Sequence, residues 1–157
     1  MASQLAREYQ TLWVPEYART YLYLRGGIYE ERDLVCIAHG QIAWEKGRSN
    51  RLTPQDWLFC DTSMETLEIW SRYAYGRISP ELAAVCSCSD YDIYFLSYID
   101  VPWVYDPLRE HPSSGDRKKI FHSHLSLLEE KKRGYIILKG DLRQRIQEAK
   151  NYLLNHS

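Results

Sequence analysis

Trp57-Leu58-Phe59-Cys60-Asp61 is a nearly all-apolar run closed by a carboxylate. A run this short and this apolar predicts a strand covered on both faces, the kind found inside a parallel sheet flanked by helices. Two further runs have the same character, Asp92 to Tyr98 and Tyr135 to Leu138. A fourth, Thr11 to Val14, is cut short by Pro15. Helical patterns fill the intervals. Ala2 to Tyr9 places Leu5, Ala6 and Tyr9 on one face but has no convincing N-cap before it. Glu16 to Leu24 runs until Gly26-Gly27, and Tyr29 to Lys46 aligns Leu34, Ile37, Ala38 and Ile42. Ser63 is expected to cap a helix to Tyr75, with Glu65 and Glu68 in its early turns. Pro80 opens a short helix behind Ser79, Arg117 to Lys132 is amphipathic, and Leu142 to Leu154 closes the chain. Strands alternating with helical crossovers predict an α/β fold with a parallel sheet covered on both faces.

At 157 residues this is the length of one ordinary domain. A net charge of −1 gives no sign of a nucleic-acid or membrane-surface protein. No apolar run reaches the roughly 18–20 residues of a membrane helix and no signal peptide opens the chain, so a cytoplasmic protein is expected. Cys36, Cys60, Cys86 and Cys88 lack the spacing of a zinc site, and Cys86-Ser87-Cys88 is too close for a comfortable disulfide. Buried free thiols are expected. His39, His111, His122, His124 and His156 form no ligand set. Thirteen Tyr and five Trp are many, but aromatics spread over several elements read first as core and rim.

Chemistry-bearing residues cluster after the apolar runs, where an open α/β sheet keeps its ligands. Glu16, in Val14-Pro-Glu-Tyr-Ala-Arg19, follows the first run. It suits a group that fixes or deprotonates a substrate hydroxyl, or one that merely complements a helix dipole. Arg19, one turn on, reads as a clamp on a polar substrate or as a surface ion-pair partner of an acid such as Glu16. Asp61, followed by the hydroxyl of Thr62, suits Mg²⁺ in phosphoryl transfer or the capping of the next helix. Pro102-Trp103-Val104-Tyr105-Asp106-Pro107-Leu108-Arg109 lies in a proline-rich segment, with Arg117 soon after. Arginines on a mobile segment can neutralise charge on a transferring phosphoryl group; the alternative is a solvated loop anchored by Trp103. Lys139-Gly140-Asp141 follows the last run and either touches a nucleotide base or simply connects strand to helix.

In their order and spacing, these islands and Ile37-Ala-His-Gly-Gln41 resemble the kinase domain of NadR-type ribosylnicotinamide kinases, P-loop ATPases/kinases of NAD metabolism. The resemblance spans nearly the whole chain. It implies a single P-loop-kinase-like domain over residues 1–157: a five-stranded parallel sheet in a three-layer arrangement. It implies transfer of the ATP γ-phosphoryl group to a ribose hydroxyl of nicotinamide riboside or a similar nucleoside, with Mg²⁺. Carried over residue by residue, the catalytic candidates are Glu16, Asp61 and Arg109. Tyr17, Arg19, Trp103 and Asp106 fall on the substrate side, Arg117, Lys139 and Asp141 on the nucleotide side, and Asp61 with Thr62 at the metal. The partners implied are a small nucleoside and ATP.

Two departures stand out. The family opens with a strand and a G-x-x-x-x-G-K-[ST] loop whose amides, Lys and hydroxyl hold phosphates and Mg²⁺. None of the 157 residues forms that pattern. Pro107 also stands where relatives often carry Gly. The first strand is central in the family's sheet, so the expectation is that Met1 is an internal Met, that the natural protein carries roughly 15–25 further residues, and that the 157 residues alone have little kinase activity. Two rivals remain open. One is a non-catalytic binding or interaction remnant that dimerises or re-pairs its strands, and the other a regulatory P-loop ATPase of the same fold.

Overall fold

The structure is a computed structural model that describes residues 1–102 and 114–155. Among them the chain runs α1 (Ala2–Glu8), β1 (Trp13–Val14), α2 (Tyr17–Leu24), α3 (Glu31–Ser49), β2 (Phe59–Cys60), α4 (Met64–Tyr75), α5 (Pro80–Cys86), β3 (Tyr94–Ser97), α6 (Ser114–Glu130), β4 (Tyr135–Leu138) and α7 (Leu142–Leu154). The alternation expected from the sequence is present, and both strand pairings are parallel. The sheet differs from the one the resemblance implies. The described strands form two two-stranded ladders, β1-β2 and β3-β4, and no fifth strand joins them among the described residues. The chain divides into two compact units, Met1–Asp90 and Tyr91–Ser157.

In the first unit β1 and β2 pair with Trp13 opposite Phe59 and Val14 opposite Cys60. The ladder is extended at both ends. Thr11 donates its hydroxyl to the Trp57 carbonyl at 2.7 Å, the Phe59 amide reaches the Leu12 carbonyl at 3.3 Å, and the Asp61 amide reaches the Val14 carbonyl at 2.8 Å. The helices pack around Ala18, Leu34, Ile37, Ala38, Met64, Leu67, Leu82 and Cys86. This is the helical period at work: Leu34, Ile37 and Ala38 share one face of α3. Glu30 and Asp33 form a capping box at the start of α3. Ser79 caps α5 through a bond from the Leu82 amide at 3.2 Å, with Pro80 at the first helical position. Ser63 occupies the N-cap of α4 but makes no side-chain cap bond. Glu65 and Glu68, expected in the early turns, are there and are buried.

In the second unit β3 and β4 pair over four residues, from Tyr94 opposite Tyr135 to Ser97 opposite Leu138. The Tyr98 amide continues the ladder to the Leu138 carbonyl at 2.8 Å. Tyr98 meets Phe121 of α6 edge to face, and Phe95 meets Tyr152 of α7 in the same way. All four cysteines are free, as expected. Burial holds for Cys86 alone: Cys60 is half-buried, and Cys36 and Cys88 are exposed because they fall on the outer sides of α3 and of the turn after α5. No helix among the described residues is long and apolar enough to cross a membrane.

Candidate functional site

Register places the two carboxylates of the first unit. Val14 and Cys60 are directly opposite in a parallel pair, so Asp61 follows one strand and Glu16 the other at the same, C-terminal edge. Glu16 stands at the N-cap of α2 in extended backbone, yet its carboxylate makes no cap bond. It meets Arg19 instead, at 3.2 Å, and both side chains are part exposed. The ion pair weighed for Arg19 is therefore formed. An exposed pair of this kind contributes little stability. Asp61 is exposed, its backbone fixed by the Val14 carbonyl.

The start of α2 is capped from outside its own sequence. The Tyr17 amide donates to Gln41 Oε1 at 2.8 Å. Gln41 is 1% exposed and donates from Nε2 to Glu45 at 2.9 Å. Gly40 lies under the Tyr17 ring so closely that a Cβ there would overlap ring atoms. Trp44, one turn further along α3, meets the same ring edge to face at 4.9 Å between centroids. Gly40 and Gln41 belong to the Ile37–Gln41 stretch singled out in the sequence, whose chemistry the sequence left unassigned. Beyond them, burial and the neighbouring Glu45 push the Cys60 thiol up to about 12. Cys60 is therefore a neutral thiol at ordinary pH, with Glu45 beside it.

The second unit uses its polar groups differently. Arg145 is buried, and its guanidinium reaches the Gly140 carbonyl at 2.8 Å, the Tyr98 carbonyl at 2.9 Å and the Asp100 carboxylate. Asp100 also accepts from the Gly140 amide at 2.6 Å. That amide, more than the guanidinium beside it, holds the Asp100 carboxyl below the usual carboxylate range. Asp141 is the N-cap of α7, accepting from the Gln144 amide at 2.9 Å, while the Asp141 amide donates to Gln144 Oε1 at 2.8 Å. Lys139 lies over the Tyr98 ring at 5.3 Å. Arg117 binds the Ile99 and Val101 carbonyls at 3.1 and 2.9 Å. Trp103, Asp106 and Arg109 lie outside the described residues.

The family description for the AAA domain matches residues 1–145. The chain belongs to the AAA domain family. This AAA domain is 28% identical to the trifunctional NAD biosynthesis/regulator protein NadR of Escherichia coli K12, and 27% identical to NadR of Salmonella typhimurium LT2. Both alignments cover 83% of the chain and 32% of the relative, so the chain spans about a third of these curated proteins. Among solved structures it is similar to a NadR protein in complex with NAD and AMP-PNP, with a TM-score of 0.72 at 18% identity. That likeness covers 97% of this chain and 44% of the other, and it establishes a shared fold.

No group of three or more His, Cys, Asp or Glu side chains able to hold a metal is present among the described residues of this AAA domain. Mg²⁺ does not require one. It keeps several waters and takes one or two carboxylates plus phosphate oxygens. Exposed Asp61 with the adjacent Thr62 hydroxyl is a hard-oxygen donor set of that type. Sequence reasoning missed Glu45, Asp100 and the architectural uses of Gln41 and Arg145. For Asp141 a signal existed: Asp-x-x-Gln before an apolar-periodic segment is a capping-box pattern.

Proposed function

We propose that this AAA domain transfers the γ-phosphoryl group of ATP to a ribose hydroxyl of nicotinamide riboside or a similar nucleoside, in NAD salvage. The observation that carries the reading is the pair of carboxylates, Glu16 and Asp61, set by register at one sheet edge. The similarity to NadR proteins supports it. In this reading Glu16 orients the nucleoside hydroxyl and accepts its proton, and Arg19 and Tyr17 bound the nucleoside side. Asp61 and Thr62 would hold Mg²⁺, whose charge, when bound, offsets that of the phosphates. Trp103, Asp106 and Arg109 would contact substrate and phosphate from the segment after β3. Arg117, Lys139 and Asp141 would lie on the nucleotide side.

One observation favours a second reading. The 157 residues contain no G-x-x-x-x-G-K-[ST], the loop that supplies most phosphate contacts in such kinases. A domain that binds a nucleotide or a partner without transferring phosphate, or a regulatory ATPase, follows if the natural protein also lacks it. One experiment tests both. The DNA upstream of the Met1 codon is translated in frame, and the chain is assayed with and without the residues it encodes, with ATP, Mg²⁺ and nicotinamide riboside. We expect a strand and phosphate loop upstream, nicotinamide mononucleotide from the extended chain, and almost none from the 157 residues. In the extended chain Glu16→Gln and Asp61→Asn should each lower kcat by about 10²–10³ with the fold intact. An immediate upstream stop codon, or an extended chain that binds ATP but phosphorylates no nucleoside, hands the assignment to the second reading.

A further inference from the structure

Two carboxylates on separate strand ends work together only if something fixes one relative to the other. The ladder between β1 and β2 is two residues long and does this only up to Val14 and Cys60. Beyond it the chain turns into α2 on one side and toward α4 on the other. A partly buried polar chain along α3 reaches both turns. Tyr17 N donates to Gln41 Oε1 at 2.8 Å, Gln41 Nε2 donates to Glu45 at 2.9 Å, and the Cys60 thiol donates to Glu45. One end of it grips the peptide plane directly after Glu16. The other end grips the residue directly before Asp61.

We propose that Gln41 and Glu45 are positioning residues, and that through them helix α3 sets the separation and orientation of Glu16 and Asp61. The inference deepens the phosphoryl-transfer reading and rests on it for its functional meaning. Three observations support it. Gln41 is fully buried although an apolar residue of similar volume, Met, would fill the same space, so its amide is retained for its bonds. Its two ends are used with the right polarity, oxygen toward an amide and nitrogen toward a carboxylate. Gly40, the residue before it, leaves room for the Tyr17 ring, which a Cβ there would overlap. The plainer account is that Gln41 merely caps α2. That account explains the Tyr17 bond and leaves the continuation to Glu45 and Cys60 without a purpose.

The test uses the 157-residue chain and three variants, Gln41→Met, Gln41→Glu and Glu45→Gln. The readouts are amide exchange, the Glu16 side-chain carboxyl resonance, the alkylation rate of Cys60, and titration with nicotinamide riboside. In Gln41→Met the Tyr17 amide should exchange about tenfold faster, the scale of one lost hydrogen bond. The Phe59 and Asp61 amides, held by Leu12 and Val14, should keep their protection, and the Glu16 resonance should shift. Gln41→Glu keeps the acceptor for Tyr17 but puts a second carboxylate beside Glu45. There Tyr17 should stay protected while Cys60 reacts more slowly, since added negative charge pushes its thiol further up. Glu45→Gln should act at the Cys60 end in the opposite sense, since it removes the carboxylate that pushes the thiol up, and Cys60 should react faster. Nicotinamide riboside should bind the folded Gln41→Met chain about tenfold more weakly. An unchanged Glu16 resonance in folded Gln41→Met, or a uniform loss of protection across the first unit, overturns the proposal in favour of a plain cap. Should Gln41→Met not fold, Gln41→Glu decides alone, since Tyr17 and Cys60 must then separate. Failure of the unsubstituted chain to bind the nucleoside counts against the phosphoryl-transfer reading, while the resonance and exchange readouts still judge the tie.

Discussion

The two parallel strand pairs of this AAA domain treat their C-terminal ends in opposite ways. At the β1-β2 end the ladder is two residues long, and the carboxylates that follow it remain at the surface, Glu16 beside Arg19 and Asp61 exposed. Order there comes from behind, through Gln41 and Glu45 of α3. At the β3-β4 end the ladder is four residues long, and the charged groups near it, Lys139 over the Tyr98 ring aside, are turned onto the backbone. Arg145 and Arg117 bind carbonyls, Asp100 binds an amide, and Asp141 caps a helix. A charge already holding the chain in place is costly to redirect to a ligand, whereas one supported from behind is not. The difference teaches that position at a sheet edge is not enough to make a residue available, and it directs attention to Glu16 and Asp61 before Arg117 and Asp141.

The comparison breaks most visibly at Arg145. Arg145→Ala should lose about 2–3 kcal/mol of stability, because the Gly140 and Tyr98 carbonyls lose a charged donor together. Urea unfolding of the second unit's tyrosines measures it. Arg145→Lys should recover only part, since an ammonium cannot span three acceptors in a plane. A change below about 0.5 kcal/mol would place Arg145 among groups free to serve a ligand. Next in size is Gly40→Ala in the first unit. The added methyl displaces the Tyr17 ring, and overpacking of that kind costs about 1–3 kcal/mol. Near-ultraviolet circular dichroism should report loss of the Tyr17–Trp44 contact.

Those two positions also mark how far the sequence could be read. Alternation, parallel pairing and the bounds of β4 and α7 were legible, because apolar runs and helical periodicity carry them directly. The strands at Thr11–Val14 and Trp57–Asp61 read longer than the ladders observed, since an apolar run reports burial, while a ladder needs a partner at each residue. Glu16 and Asp61 were legible as strand-end carboxylates. Arg145 was not, because an Arg on an amphipathic helix reads as solvated until its acceptors are known. Gln41's use was not, because the amide it accepts from lies 24 residues away at Tyr17.

A smaller effect sharpens the picture of α3. Asp33 accepts from the Glu30 amide first and from the Tyr21 hydroxyl second, and these bonds hold its carboxyl below the ordinary value of 3.8. A depressed folded value means that the stabilisation is complete above the unfolded value and lost as pH falls through the folded one. Asp33→Asn should therefore cost about 1 kcal/mol at neutral pH, and the gap from the parent chain should close below about pH 4. A gap that persists at pH 2 would mean that packing, not charge, fixes the start of α3. The smallest effect is chemical. Iodoacetamide at pH 8 should modify Cys36 and Cys88 first, and Cys60 and Cys86 only slowly. Rapid loss of Cys60 would show that the Glu45 end of α3 opens readily.

Both pairings close long loops. Thr11 meets Trp57 across 46 positions, and Arg145 meets Asp100 across 45. Contacts that distant wait on the helices between them, so they form late in folding and slow it. A nascent chain has Glu16 on its first helices long before Asp61 is synthesised to face it. The edge that holds both carboxylates is thus assembled only after α3 is complete, which ties the timing of the site's appearance to the passage of about fifty residues through the ribosome at roughly 5–20 per second.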